Sequence, residues 1–249
     1  MSCLTGTTWN QVGRHSEQRK IDGESCIALS HPWLGKGGSE ARVAWGLQAL
    51  AEPGPVHLLT GGGRSVQELN DAYGSRVSPD DVVVRRPLLG RMVGWLRSGH
   101  ALRGTVYQRF CRFVATDYDV LISAYNLVDF GVPGIHCIAD FSWDDEVRRS
   151  LHPDPPGMRG RFHRSGLRRY YLALCRAIAK PSGRNLFAGE DMILSNSRWT
   201  AGIIHERHGL ATEVLYPPVA AKFPDVPPAA RGSGFVCIGR IAPENGWSG

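Results

Sequence analysis

Two short segments combine residue types that could bind a phosphate group. In the first, which runs from Leu29 to Glu40, a strand pattern leads into a glycine loop, and a helix pattern begins near Ser39. Glycines let the main chain approach a ligand closely, and N–H groups at a helix start favour phosphate oxygens. In the second, Arg240 follows another strand pattern and could bind a diphosphate through two hydrogen bonds. The residue types alone leave two alternatives open, which are a ligand-free turn and a surface arginine.

Strands and helices must alternate along the chain to position these segments. Short apolar runs, typical of strands buried in a parallel sheet, predict seven strands: Ser25–Ser30, Val56–Thr60, Asp81–Arg85, Asp119–Ala124, Gly134–Ala139, Asp191–Asn196 and Thr212–Tyr216. Apolar residues at helical spacing predict helices over Ser39–Ala51, about Thr105–Ala115 and Gly166–Ala179. The alternation predicts an α/β fold with a doubly wound, mainly parallel, Rossmann-like sheet.

Composition divides the chain into four parts. We expect residues 1–20, which are polar, to be disordered, and residues 21–218 to form the Rossmann-like domain. Five prolines between positions 217 and 228 indicate that residues 219–233 form a linker. Residues 234–249 resemble the first strand and turn of a second domain. One strand and a turn cannot bury a core, so we expect the rest of that domain to be missing after Gly249.

The bulk properties favour a globular cytoplasmic protein. Hydrophobic residues make up 42% of the chain, which is enough for a sizeable core. The apolar runs are much shorter than the roughly 20 residues that cross a bilayer, and the N-terminus has no apolar signal region. Six cysteines show no CxxC pair or metal-ligand spacing, which favours buried reduced thiols over disulfides or zinc ligands.

The formal net charge of +6 is unevenly distributed. Seven arginines and no acidic residue lie between Arg85 and Arg112, and five more arginines lie between Arg159 and Arg169. A solvated basic face and contact with an anionic partner are both open. Nucleic acid is disfavoured because no nucleic-acid motif accompanies the arginines. Among anionic partners, a phosphorylated acceptor or an anionic membrane, contacted peripherally at its inner face, fits the arginines better than nucleic acid does.

Three blocks in sequence order resemble the retaining glycosyltransferases of family 4, which have the GT-B fold. Lys36-Gly-Gly-Ser-Glu40 resembles the family's glycine loop. The end of its N-terminal domain resembles two segments here, Ile193-Leu-Ser-Asn-Ser-Arg-Trp-Thr200 and Val214-Leu-Tyr-Pro-Pro-Val219. Gly239-Arg-Ile-Ala-Pro-Glu-Asn-Gly246 resembles the opening of its C-terminal domain. The resemblance covers the chain from about Ile21 to Gly246.

This resemblance implies two Rossmann-like domains that face a cleft, the first binding an acceptor and the second a nucleotide sugar. The implied reaction transfers a sugar from a nucleotide-diphosphate donor to a glycan or lipid-linked acceptor with retention of configuration. The main chain of Gly37 and Gly38 would approach the donor, and Arg240 and Glu244 would complete the donor site. No metal or cofactor is expected, because similar enzymes neutralise the departing diphosphate without a cation.

The acceptor side departs from the family pattern. Many relatives carry a histidine at a strand tip where this chain reads Ile138-Ala-Asp140. His136 cannot replace it, because strand alternation points His136 to the opposite face, and a core role is predicted for it. Asp140 becomes the candidate catalytic residue that orients an acceptor hydroxyl, with a simple helix cap or loop acid as the open alternative.

Three further residues are candidates for binding the acceptor. They are His31, Asn126 and Asp129. The last two follow the strand Asp119–Ala124, so we expect them at the carboxyl edge of the sheet, where ligands bind in open α/β folds.

Two further departures from the family pattern bear on the alternative functions. Asn245 stands where the family usually has a lysine, and the acid-x7-acid helix that holds the donor sugar is expected beyond Gly249. The chain alone is therefore expected to have negligible transferase activity. The main alternative is a non-catalytic acceptor- or partner-binding module derived from a glycosyltransferase. A nicotinamide-dependent oxidoreductase is disfavoured, because the second strand runs into Thr60-Gly-Gly-Gly-Arg64 without the acid that would bind a ribose.

Overall fold

A computed structural model describes residues 25–52, 54–88, 100–144, 146–147, 150, 166–219 and 227. Seven strands in these ranges are β1 (Ile27–His31), β2 (Val56–Thr60), β3 (Val82–Arg85), β4 (Val120–Ser123), β5 (Ile135–Ile138), β6 (Met192–Ser195) and β7 (Glu213–Val214). The α-helices are α1 (Gly38–Ala51), α2 (Val66–Tyr73), α3 (His100–Val114), α4 (Gly166–Ala179) and α5 (Arg198–His208). Two short 3-10 helices cover Pro79–Asp81 and Ala115–Asp117.

The strands form one parallel sheet in the order β3-β2-β1-β4-β5-β6-β7. The chain winds outward from β1 to β3, then crosses to β4 on the other side of β1. The switch point of the topology therefore lies between β1 and β4. The fold is the doubly wound, Rossmann-like α/β fold that the sequence predicts, and ligands of such sheets bind outside the carboxyl ends of the strands at the switch point.

Apolar side chains cover both faces of the sheet. Neighbouring residues of β1 face opposite sides, as the pleat requires, so that Leu29 packs with Val43 and Leu47 of α1. Ala28 packs on the other face with Cys111 of α3. A third cluster joins the β5 and β6 side of the sheet to α5. The core thus fixes the carboxyl ends of β1, β4 and β5 side by side.

All seven predicted strands are confirmed, with ends that differ by at most two residues, but α2 and α5 lie where no helix is predicted. The helix α2 starts with a capping box in which Ser65 and Glu68 bond each other's main-chain N–H. The helix α5 starts after Ser197, whose side chain accepts a hydrogen bond from the Thr200 N–H, and ends at Gly209 in a left-handed conformation. The helix α5 is set by its caps more than by an apolar stripe, whereas α2 also buries Val66 and Leu69 in the core.

The cysteine prediction is confirmed for the described residues, in which Cys26, Cys111, Cys137 and Cys175 are buried free thiols. In the same part of the chain, each helix is too short or too polar to cross a membrane. The predicted disordered segment 1–20, most of the linker 219–233 and the segment 234–249 lie outside the described residues.

Candidate functional site

The carboxyl ends of β1, β4 and β5 meet at the switch point. Ser30 of β1 pairs with Ser123 of β4, and Ser123 pairs with His136 of β5. The residues that follow these strands therefore share one edge. Among them are His31 at the end of β1, and the loops that carry Tyr125 and Asp140.

Asp140 is exposed and its carboxylate is tightly held. It accepts hydrogen bonds from the Tyr125 hydroxyl (2.8 Å), the Asn126 side-chain amide (2.7 Å) and the Ser142 N–H (2.9 Å). Burial acts to raise the pKa of Asp140, but hydrogen bonds from Ser142, Tyr125 and Asn126 outweigh burial and lower the pKa below its usual range. Asp140 is consequently an ionised hydrogen-bond acceptor at neutral pH and a weak base.

Asn126 positions the Asp140 loop. Its main chain adopts a left-handed conformation with φ of 57°, which asparagine tolerates better than most residues. Its side-chain oxygen accepts bonds from the N–H groups of Ala139 (2.9 Å) and Asp140 (3.1 Å), and its NH2 group donates to Asp140 and to the Ser142 hydroxyl (3.2 Å). These four bonds use the whole capacity of the amide. The Asn126 side chain therefore has no free hydrogen-bonding atom for the predicted contact with an acceptor substrate.

His31 is buried at the end of β1, with 3% of its surface exposed. The Trp33 N–H donates to its Nδ1 atom (3.3 Å), so the neutral ring carries its proton on Nε2. Nε2 has no hydrogen-bond partner among the described residues. Burial lowers the pKa of His31 to about 4, although the nearby Glu40 acts to raise it. The ring lies beside Tyr125, with 5.5 Å between the two ring centroids. The Nε2–H of His31 is therefore a buried donor without an acceptor among the described residues.

The glycine loop is tied back by Glu40, in the first turn of α1. Its carboxylate accepts the Gly35 N–H (2.8 Å) and the Ser39 hydroxyl (2.8 Å). The Gly37 N–H donates to the Tyr73 hydroxyl (2.9 Å), which in turn donates to the Gly37 carbonyl (3.0 Å). Gly38 is the first helical residue, so its exposed N–H has no acceptor within the helix. Of the two predicted donor-binding glycines, Gly38 thus offers the available N–H.

The three glycines after β2 pack against the loop after β1. The Gly61 N–H donates to Pro32 (3.0 Å), and the Leu34 N–H donates to Gly62 (2.9 Å). A Cβ atom would lie 2.5 Å from the Pro32 carbonyl at Gly61 and 2.1 Å from the Leu34 carbonyl at Gly63, where φ is +108°. Only glycine fits such close contacts. The two loops therefore form one wall of the site.

Arg42 is a buried cation that the sequence did not reveal as a site residue. Its Nη1 atom donates to the main-chain carbonyls of Ala124 (3.3 Å) and Cys137 (3.4 Å), and its Nε atom has no partner among the described residues. No carboxylate in the described ranges forms an ion pair with it, and burial lowers its pKa. A buried guanidinium without a counter-charge favours an anion nearby.

The location predicted for Asp129 requires correction. The chain after Asn126 runs back along β5, since Asn126 bonds Cys137 while Val128 bonds His136. Asp129 therefore lies away from the carboxyl edge. There its carboxylate binds Arg112 (2.7 Å), and the N–H (2.7 Å) and hydroxyl (2.7 Å) of Ser182, which follows the C-terminus of α4. Asp129 therefore links α3 to the segment after α4, and it is remote from Asp140.

The core role predicted for His136 is confirmed. Its Nδ1 atom accepts the Val128 N–H (3.4 Å), its Nε2 atom bonds Asp191 (3.2 Å), and its ring stacks on Phe130. Burial lowers the pKa of His136, against the opposing effect of Asp191. Both ring nitrogens are thus satisfied inside the fold.

Arginines of the first basic group are partly used within the fold. Arg85 pairs with Asp117 (2.8 Å), Arg112 pairs with Asp129, and Arg103 lies 5.5 Å above the ring of Trp33. The first basic group therefore supplies less free charge than the sequence implies.

Other predicted site residues lie outside the described residues. These are Arg240 and Glu244, as well as the arginines at 159, 161 and 164. Within the described ranges, no group of three or more His, Cys, Asp or Glu side chains is arranged to hold a metal ion. The described site therefore consists of the glycine loop, the buried His31 and Arg42, and the Tyr125–Asn126–Asp140 cluster.

Comparison of the chain with models of known families, with characterised proteins and with solved structures finds no match.

Proposed function

We propose that this chain supplies the acceptor-binding part of a retaining glycosyltransferase that uses a nucleotide-diphosphate sugar. The proposal rests chiefly on one observation, which is the exposed, ionised Asp140 at the switch point of the sheet, on the same edge as the glycine loop. A carboxylate held in this way can accept a hydrogen bond from a sugar hydroxyl and fix its orientation. The resemblance of the glycine loop to family 4 supports the same reading.

The charges of the site suit an anionic donor. The free Gly38 N–H lies at the positive end of α1. The buried Arg42 and the Nε2–H of His31 add a positive charge and a hydrogen-bond donor to the same edge. In the proposed reaction the bond between the sugar carbon and the diphosphate breaks as the acceptor oxygen bonds that carbon. The departing diphosphate takes the hydroxyl proton, because the lowered pKa makes Asp140 a poor base.

The glycine loop offers a sharp test of donor binding. Gly38→Pro removes the N–H at the first helical position, where proline is well tolerated, and the extended Gly37 before it is compatible with proline. Gly38→Ala is the matched control, because it keeps the N–H and its Cβ atom meets nothing within 4 Å. Calorimetric titration with a panel of nucleotide-diphosphate sugars should show about tenfold weaker binding for Gly38→Pro and little change for Gly38→Ala.

Acceptor binding is tested separately. Asp140→Asn should weaken binding of a glycan or lipid-linked acceptor by about tenfold or more, because it removes a charged hydrogen-bond acceptor. Failure of the chain to bind any nucleotide sugar or glycan would refute the proposal. Equal donor binding by both Gly38 variants would exclude the loop as the donor site.

A non-catalytic binding module is the second candidate. It is favoured by the engagement of the Gly37 N–H with Tyr73, which removes one expected donor contact. Acceptor binding that depends on Asp140, with donor binding that is equal in both Gly38 variants, would favour this second function.

A further inference from the structure

The inward face of α4 is fixed by its packing on α3. The Tyr171 hydroxyl accepts a hydrogen bond from the Leu102 N–H (3.1 Å) near the start of both helices. Arg112 donates to the Ala179 carbonyl (3.2 Å) near their ends. Cys175 is buried between these two contacts. The opposite face of α4 must therefore point away from the core.

Three large apolar residues lie on that outward face. Tyr170 is 77% exposed, Leu174 is 58% exposed and Ile178 is 38% exposed. They are spaced four residues apart, so they form one stripe along the helix. A stripe of this kind on a folded domain marks an interaction surface more often than a group of unrelated exposed residues.

Basic residues lie to one side of the stripe, because at about 100° per residue their positions fall roughly 120–160° around α4 from Leu174. Arg169, Arg176 and Lys180 are exposed, and none of them forms an ion pair with a described residue. The sequences of α3 and α4 contain three arginines each and no acidic residue. The surface made by Arg169, Tyr170, Leu174, Arg176, Ile178 and Lys180, here called the α4 face, is therefore both apolar and cationic.

We propose that the α4 face docks on an anionic lipid surface. Lipid phosphates would neutralise the three cations, while the apolar stripe would enter the boundary between headgroups and acyl chains. A second copy of the chain is a poorer partner, because a symmetric contact would bring like charges together. Nucleic acid would leave Leu174 and Ile178 without an apolar environment. The proposal does not depend on the reaction at the sheet edge, because the α4 face shares no residue with that site.

Vesicle co-sedimentation of the full chain tests this proposal. The chain should bind vesicles that contain phosphatidylglycerol, bind pure phosphatidylcholine vesicles at least about tenfold more weakly, and lose affinity as salt rises. Leu174→Asp with Ile178→Asp should reduce binding by about tenfold or more, since each removes an inserting side chain. Arg169→Gln with Arg176→Gln should reduce binding by about fivefold for each charge removed. Val219→Asp is the matched control, as Val219 is exposed and lies outside α3 and α4.

Three outcomes would overturn the proposal. The first is equal binding to anionic and neutral vesicles, or none to either. The second is unchanged binding of both double variants, with circular dichroism showing that they are folded. The third is concentration-dependent self-association that the same variants abolish, which would assign the α4 face to a second copy. If the aspartate variant fails to fold, the arginine variant alone decides, because its substitutions are exposed.

Discussion

Two buried histidines of the sheet differ in whether both of their ring nitrogens have a hydrogen-bond partner. His31 at the end of β1 and His136 in β5 are both buried, and burial lowers the pKa of each. Both ring nitrogens of His136 have partners, whereas Nε2 of His31 has none among the described residues. Buried polar atoms are nearly always paired, so the Nε2–H of His31 remains able to donate to a ligand or to water.

An aspartate in each of the two regions also differs in its exposure to solvent. Asp191 is buried and bonds His136, Arg184 (3.1 Å) and the Gly134 N–H (2.8 Å). Asp140 is exposed, although it accepts three hydrogen bonds of its own. One cluster is closed around a buried carboxylate, and the other is held rigid yet open to solvent. Residue type alone therefore does not locate a site, because both regions contain histidine, aspartate and arginine.

The largest expected effect is on stability and separates the two acids. Asp191→Ala should lower the free energy of unfolding by about 3–5 kcal/mol, because it leaves the buried His136 Nε2–H and the Gly134 N–H without an acceptor and removes one ion-pair partner of Arg184. Asp140→Ala should lower it by about 1 kcal/mol or less, because water can replace the lost carboxylate. Urea denaturation of both variants measures the difference. Equal losses would mean that Asp140 is as structural as Asp191, and would contradict the comparison.

The next effect concerns pH. The pKa of His31 falls from 6.5 to about 4 on folding, so the unfolded chain binds the proton more tightly. Stability should therefore decrease as pH falls from 6.5 to about 4, and His31 alone should contribute about 3 kcal/mol of this loss. Denaturation of His31→Gln at pH 7 and at pH 4 should show a correspondingly smaller loss than the wild type. The same loss in both proteins would show that His31 is not the group that titrates.

The smallest effect concerns the Asp140 cluster. Tyr125→Phe removes one hydroxyl bond to Asp140, so the pKa of Asp140 should rise toward its ordinary value. Stability should change by less than about 1 kcal/mol. An NMR titration of the Asp140 carboxyl carbon measures the pKa. An unchanged pKa would mean that Ser142 and Asn126 alone set the charge of this carboxylate.

The sheet was predictable because its strands are apolar on both sides. Runs such as Val56–Thr60 carry this signal locally, while the edge strands β3 and β7 are partly exposed and were found only as short apolar runs. The helix α2 was missed because it is only eight residues long, and α5 because its apolar stripe is weak, so the caps are the clearest signals. The Ser65–Glu68 capping box was present in the sequence and would have located α2.

Asp129 was misplaced because two adjacent parallel strands are joined without a helix. β4 ends at Ser123 and β5 begins at Ile135, so the chain between them must return the full length of a strand. Only the first few residues of such a connection stay at the carboxyl edge. This reasoning retains Asn126 at the edge and would have excluded Asp129 from the sequence alone.

The contacts of the site were beyond sequence reasoning. The Tyr125–Asp140 bond joins two loops, and Arg42 reaches from α1 to β4 and β5. These contacts depend on the order of the strands in the sheet. The strand β4 lies next to β1 only because the chain reverses its winding direction after β3. A local pattern carries no information about that reversal.

The pairing of the loops after β1 and β2 has a consequence for ligand recognition. Three main-chain hydrogen bonds link Pro32 and Leu34 to the residues Gly61–Arg64, so the β1 loop extends the sheet beyond its last regular pair. The start of α1 is thereby held in place before any ligand arrives. Association then requires little further ordering of the backbone, so a small anion could be captured quickly and with modest entropy loss.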